Sequence, residues 1–207
     1  MDEKDRAKLE GRVRDLCAQG DHSAAATLAL KGYGPELFGF LVTMHSSEAD
    51  ASDVFAETSE ALWRSLPSFS WECSLRTWTY AIARNLMRGR LRGVARKRRH
   101  GAQVGPSALE EVAHVVRTET LTFLRTEKKT RLQALRDSLP ENERMLLVLR
   151  LDRQLAWNDL ARVLAERDDD APLSAADVAK ESARLRKQFQ LLKEKLREMA
   201  KKEGLID

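Results

Sequence analysis

The stretch PSFSWECSLRTWTYAIARN, residues 67–85, decides how the chain is read. Leu75, Trp78, Ile82 and Leu86 recur at helical spacing, and Ser74 stands where an N-cap belongs, so a helix is expected to begin near residue 75. At 100° per residue, Arg76, Thr77, Tyr80, Arg84 and Arg88 gather on the side opposite that apolar stripe. This reading places Trp78 in the core and turns a face of cations and one aromatic outward. A solvated helix face usually mixes signs. Here Arg84 to His100 holds eight Lys or Arg and no acid. Guanidiniums pair with phosphates, and an exposed Tyr or Trp stacks on an unpaired base. Beside the plainer reading of a basic solvated surface, the face suits single-stranded or opened nucleic acid.

Outward from this stretch the pattern stays helical, with no run of alternating β-branched residues. Helices are expected at 5–18 and 22–31, the second capped by Asp21, then at 34–45 and 48–66, where Pro67 ends the pattern. RGRLRGVARKRRHGAQVGPSALEE follows, with several glycines, a proline and a dense basic run, and predicts a flexible linker over 93–117. Further helices are expected at 118–138, 141–153 and 156–166. ERDDDAPLS reads as a loop, and a last helix runs from Ser174 to about Lys202 with Ser174 and Asp177 in capping-box-like positions. The fold class is all-α: two helical domains, 1–92 and 118–207, joined by the basic linker.

The totals agree with that class. Of 207 residues 33% are charged and 6% aromatic, with net charge +4, which suits amphipathic helices with charged outer faces. Cys17 and Cys73 form no CxxC and read as reduced thiols. The charged N-terminus and the lack of a long apolar run point to a soluble cytoplasmic protein that does not enter a membrane. Four scattered histidines, no HExxH, no glycine-rich phosphate loop and no Ser/His/Asp grouping supply no catalytic residue, metal site or cofactor, so an enzyme is not expected.

Two further stretches carry a function. On the helix after Ser47, Val54, Phe55, Thr58, Ala61 and Leu62 form an apolar face, and Asp50, Asp53, Glu57 and Glu60 form an acidic strip. Such a strip is either a solvated face or a docking surface for a basic partner. LPENERMLLVLRLDRQLAWNDLARVL reads as two amphipathic helices joined by a turn at Gln154–Leu155. A basic helix follows, carrying Lys180, Arg184, Arg186 and Lys187. That order is the skeleton of a helix-turn-helix. Leu185, Phe189, Leu192, Leu196 and Met199 are the stripe that packs its last helix.

Together these residues resemble a known family. DASDVFAETSEALWRSLPSFSWECSLRTWTYAIARN is similar to region 2 of the bacterial extracytoplasmic-function sigma factors, of the sigma-70 family, and LPENERMLLVLRLDRQLAWNDLARVL to the start of their region 4. The resemblance covers about 33–92 and 132–197. It implies a non-catalytic subunit that binds core RNA polymerase, directs it to promoter DNA and opens the −10 element. By resemblance, Asp53 and Glu57, within the strip of Asp50, Asp53, Glu57 and Glu60, contact the coiled coil of the largest polymerase subunit. The loop of Ser68, Phe69, Ser70, Trp71, Glu72 and Ser74 pockets a flipped base. Arg76, Thr77, Tyr80, Arg84, Asn85 and Arg88 lie on the −10-reading helix, and Lys180, Arg184, Arg186 and Lys187 on the helix that reads the −35 element. An anti-sigma factor joins the partners the family implies, although no residue announces one.

The chain departs from the family at three places. Ala56 stands where a Gln is usual, and Trp71 stands where a small residue, often Gly, is usual. The turn after Leu164 is longer, an apparent insertion over about 165–182 that includes Asp168, Asp169 and Asp170. The alternative to a polymerase subunit is a freestanding helix-turn-helix regulator, which would bind duplex DNA without polymerase.

Overall fold

A computed structural model describes residues 1–45, 47–91, 107–126, 131–165 and 173–204. The chain forms two compact units, Met1–Leu124 and Arg125–Asp207. Among the described residues every regular element is helical, and no helix is long and apolar enough to cross a membrane.

The first unit contains α1 (Glu3–Ala18), α2 (His22–Met44), α3 (Glu48–Ser65), a 3₁₀ turn (Leu66–Ser68), α4 (Leu75–Leu91) and nearly all of α5 (Ser107–Thr126). The caps are local. Asp2 accepts a hydrogen bond from the Asp5 N–H, Asp21 from Ala24 at 2.9 Å, and Ser47 from Ala49 and Asp50. α2 is the central element, packing on both α1 and α3, and α4 packs on α3. Phe38 meets Phe55 with ring centroids 5.1 Å apart, and Phe40 meets Tyr80 edge-on at 5.4 Å. All four rings are fully buried.

Two expected boundaries move. The helices expected at 22–31 and 34–45 are one helix, despite Gly32, Gly34 and Pro35. The glycines serve packing. A Cβ on Gly32 would lie 2.2 Å from Leu9 Cδ2, and one on Gly34 would lie 3.1 Å from Val116 Cγ1. Pro35 is exposed, as is Lys31 one turn earlier. The carbonyl that loses its donor is therefore on the water side of the helix. The second change concerns the linker: α5 begins at Ser107, inside the segment expected to be flexible over 93–117, and buries Leu109, Ala113 and Val116 at helical spacing. Residues 92–106, with most of the basic run, lie outside the described residues.

The second unit contains α6 (Arg131–Asp137), α7 (Glu141–Leu147) with a π-helical turn (Val148–Asp152), α8 (Trp157–Leu164) and α9 (Ala175–Lys202). Of the helix expected over 118–138, the described residues show the last part of α5 and α6, and residues 127–130 lie outside them. Gln154, with φ of 54°, makes the turn into α8, and the Leu155 N–H donates to the Leu149 carbonyl across it. Ser174 caps α9 by accepting from the Asp177 N–H at 3.1 Å and donates its own hydroxyl proton to the Asp177 carboxylate. The buried stripe of α9 is Val178, Ser182, Leu185, Phe189 and Leu192, beginning two turns earlier than expected, while Leu196 and Met199 are half-buried.

The α1–α2 contact can be tested by two glycines. An added Cβ at Gly11 meets nothing within 4 Å, so Gly11→Ala should stabilise the protein by about 0.5–1 kcal/mol. Gly32→Ala should forfeit that gain, because Leu9 must move. Thermal denaturation compares the two, and equal gains would contradict the packing of α1 on α2.

Candidate nucleic-acid interface

The loop before α4 is built around stacked rings. Trp78, on the first turn of α4, lies parallel to Phe69 with centroids 4.2 Å apart and an interplanar angle of 13°. Phe69 in turn meets Trp71 at 4.7 Å. The outer member is a cation: the Arg14 guanidinium, from α1, sits 4.6 Å from the Trp71 ring centroid. Phe69, Trp71 and Trp78 are half-buried, whereas Ser68, Ser70, Glu72 and Arg14 are exposed. Trp71 has φ of 61°, a left-handed conformation that costs a bulky residue on the order of 1–3 kcal/mol unless its surroundings impose it.

Beneath the loop, α4 is anchored by buried polar groups. Ser74 accepts a hydrogen bond from the Thr77 N–H at 3.0 Å, and its hydroxyl lies 2.7 Å from that of Thr77. Arg76 forms a bidentate pair with Glu36 of α2, Nε to Oε1 at 2.6 Å and Nη2 to Oε2 at 3.2 Å. Glu10 of α1 completes the network: its Oε1 accepts from the Tyr33 hydroxyl at 2.9 Å and from the Arg76 backbone N–H at 3.3 Å. Burial alone would depress the Arg76 guanidinium, but the Glu36 hydrogen bond and charge outweigh it and hold Arg76 above its usual range. Burial, reinforced by the Glu10 charge, raises the Tyr33 phenol, which stays a donor.

This corrects the expected orientation of α4. Arg76, Thr77, Tyr80 and Arg84 are buried at 7, 2, 1 and 6% exposure, so none lies on an outward basic face. The reason is Glu36, an acid 40 residues upstream that draws Arg76 inward, and Phe40, which receives Tyr80. The outward face is instead Trp78, Ile82, Asn85 and Arg88, at i, i+4, i+7 and i+10. Of these Asn85 is exposed and the others half-buried. Trp78 is thereby a member of the loop's stack, not the core residue expected.

The acidic strip on α3 is partly engaged within the unit. Arg90 of α4 forms a bidentate pair with Glu57, at 2.7 and 3.1 Å, and lies 3.6 Å from Asp53. The Glu57 hydrogen bond is the leading cause that raises Arg90 above its ordinary value. Glu60 pairs with Arg64 one turn on. Asp50 and Asp53 remain exposed.

In the second unit α8 packs on α9. Trp157 meets Phe189 edge-on at 5.6 Å, and the buried Ser182 hydroxyl lies 3.1 Å from the Trp157 carbonyl and 2.9 Å from Asn158 Oδ1. Lys180, Arg184 and Lys187 line one exposed face of α9 at i, i+4 and i+7. Arg184 is paired with Glu181, and Arg186 leans over Trp157 at 5.8 Å. Residues 175–182, expected within an insertion, are the opening turns of the same helix, and Asp168, Asp169 and Asp170 lie outside the described residues. Among the described residues no group of His, Cys, Asp and Glu is arranged to hold a metal.

Residues 30–98, which contain the loop, α3 and α4, match the model of sigma-70 region 2. The RNA polymerase sigma-H factor of Pseudomonas aeruginosa is 30% identical over 156 residues, which span 70% of this chain and 77% of that protein. The chain belongs to the sigma-70 family. In this sigma factor the backbone at Trp71 is left-handed, the conformation glycine adopts without cost. The family match begins after α1 and so leaves out Glu10, which bonds the start of α4, and Arg14, which lies over Trp71 of the loop.

Sequence reasoning missed Glu10, Tyr33 and Glu36 as supports, Arg14 as a stacking partner and Arg90 as the cation within the acidic strip. None is separated from its partner by a local helical spacing, so no periodicity reveals these pairs. Breaking the central pair provides a test. Glu36→Gln leaves Arg76 buried without its counter-charge and should cost about 3 kcal/mol in denaturant unfolding. A loss below about 1 kcal/mol would show that the pair does not anchor α4.

Proposed function

We propose that this sigma factor is of the extracytoplasmic-function type and acts as a promoter-specificity subunit. It binds core RNA polymerase through the α3 strip, holds an unpaired −10 base on the loop of residues 68–74 with the outward face of α4, and reads duplex DNA at the −35 element through α9. Its second unit is a region 4 module in this reading, and the chain itself carries out no catalysis. The observation that carries the proposal is the Trp78–Phe69–Trp71 stack, formed by the loop and the first turn of the α4 face that also carries Asn85 and Arg88. Extruding a base costs a few kcal/mol of stacking and pairing, and aromatic faces return about 1–3 kcal/mol per base without demanding one sequence.

The polymerase contact rests on charge. Asp50 and Asp53 are exposed and lie on the same helix as Glu57, which is paired with Arg90 of α4. Arg90 holds Glu57 in one geometry, which orients part of the strip before a partner arrives. At α9, Lys180 and Lys187 are the exposed cations for phosphate. Arg184 must exchange Glu181 for DNA or remain a positioning residue.

The test is a titration of labelled full chain into bacterial core polymerase free of other sigma factors, followed by anisotropy, beside an Asp50→Lys/Asp53→Lys variant. The proposal expects tight binding that the variant weakens at least about tenfold, or 1.4 kcal/mol. Duplex binding by the chain alone, with no affinity for core, would instead establish the freestanding regulator that the α8–α9 geometry also allows.

A further inference from the structure

The loop stack ends on a charge that the family match does not include. Arg14 is exposed on α1, and its guanidinium lies over the Trp71 ring, 4.6 Å from the centroid, while the same ring meets Phe69 at 4.7 Å. Among the described residues no carboxylate holds Arg14, in contrast to Arg76 and Arg90, each locked in a bidentate pair. It is therefore held mainly by the ring beneath it, a weak contact at an exposed site. The ring itself is fixed: Trp71 keeps a left-handed backbone, packed against Phe69. A planar, replaceable cation over a rigid ring is the arrangement from which a planar base gains most, because the stacking surface is already formed and only Arg14 must move.

We infer that Arg14 is a displaceable lid on Trp71: an unpaired base of single-stranded DNA takes its place on the ring, and the freed guanidinium pairs with the neighbouring phosphate. The site so defined is a base-plus-phosphate subsite built by α1 and the loop together. α1 is positioned for this by Glu10, which accepts hydrogen bonds from both Tyr33 and the Arg76 backbone, so that α1 and the start of α4 move as one body. Leu9 packing onto Gly32 fixes the same helix from its neighbouring face. The inference rests on the loop being the base-capturing element of the proposed function.

The two roles of Arg14 separate in a salt titration. The protein is assembled with core polymerase, and a fluorescent pool of random single-stranded 12-mers is bound by anisotropy, with core alone as background. Arg14→Gln removes the phosphate partner, so the slope of log K against log salt should fall by about 0.7, with weaker binding at low salt. Arg14→Lys keeps a phosphate-pairing charge but loses the planar stack. Its slope should match the unaltered protein, and its affinity should rise about two- to fivefold because an ammonium competes less well than a guanidinium for the ring. Trp71→Ala should lose about tenfold at every salt concentration with little change of slope. If Arg14→Gln leaves slope and affinity unchanged while Trp71→Ala weakens binding, the lid is overturned and the loop reading stands. If the unaltered protein adds no single-strand binding to core, or Trp71→Ala binds as well as it does, the loop reading fails and the inference with it. If Arg14→Lys weakens binding as Arg14→Gln does while thermal unfolding is unchanged, Arg14 contacts DNA without acting as a lid, and the inference is again overturned.

Discussion

The buried pair of Arg76 and Glu36 is the interaction on which the rest of the first unit depends. A guanidinium taken out of water is costly, and a bidentate carboxylate offsets that cost only when both partners are held in place. Here α2 holds Glu36 and α4 holds Arg76, while Glu10 brings α1 to the backbone of the same residue. Three helices therefore meet at one charge. Ser74 caps α4 one turn from that junction, and the loop of residues 68–74 leaves from the cap. The aromatic stack consequently rests on a rigid base, which lets a loop present a defined surface instead of many.

Among the described residues, some cations are held by carboxylates within the fold and others are exposed. Arg76 and Arg90 are each neutralised by a carboxylate on another helix, and Arg184 by Glu181 on its own. They order the fold, orient the acidic strip and restrain α9. Arg14, Lys180 and Lys187 are exposed and differ in what surrounds them. Arg14 lies on an aromatic, which favours a planar ligand, whereas the two lysines share a helix face, which favours a phosphate backbone. A net charge of +4 therefore says little about how nucleic acid is met, because it does not show which cations are exposed and which are held by a carboxylate.

What the sequence made legible follows from range. The caps at Asp21, Ser74 and Ser174 are decided within three residues, and each is found where the spacing places it. The helical class and the position of α4 are likewise set by local periodicity. The orientation of α4 was not legible. Two stripes interleave on that helix, one apolar through Trp78, Ile82 and Leu86 and one mixed through Arg76, Tyr80, Ala83 and Met87. The mixed stripe is buried because Glu36 and Phe40 receive it from α2. Gly32 and Gly34 misled for the same reason, since they serve the close approach of Leu9 and Val116 and do not end a helix. Trp71 adds a backbone conformation, with positive φ, that helical periodicity does not reveal.

The central claim is that a loop made rigid by α1, α2 and α4 receives an unpaired base. Hydrogen–deuterium exchange of the protein assembled with core polymerase, with and without single-stranded DNA, tests it most directly. Slower exchange on adding the strand is expected in peptides covering residues 68–78 and in the part of α1 around Arg14. Protection confined to α9, with residues 68–78 unchanged, would contradict it.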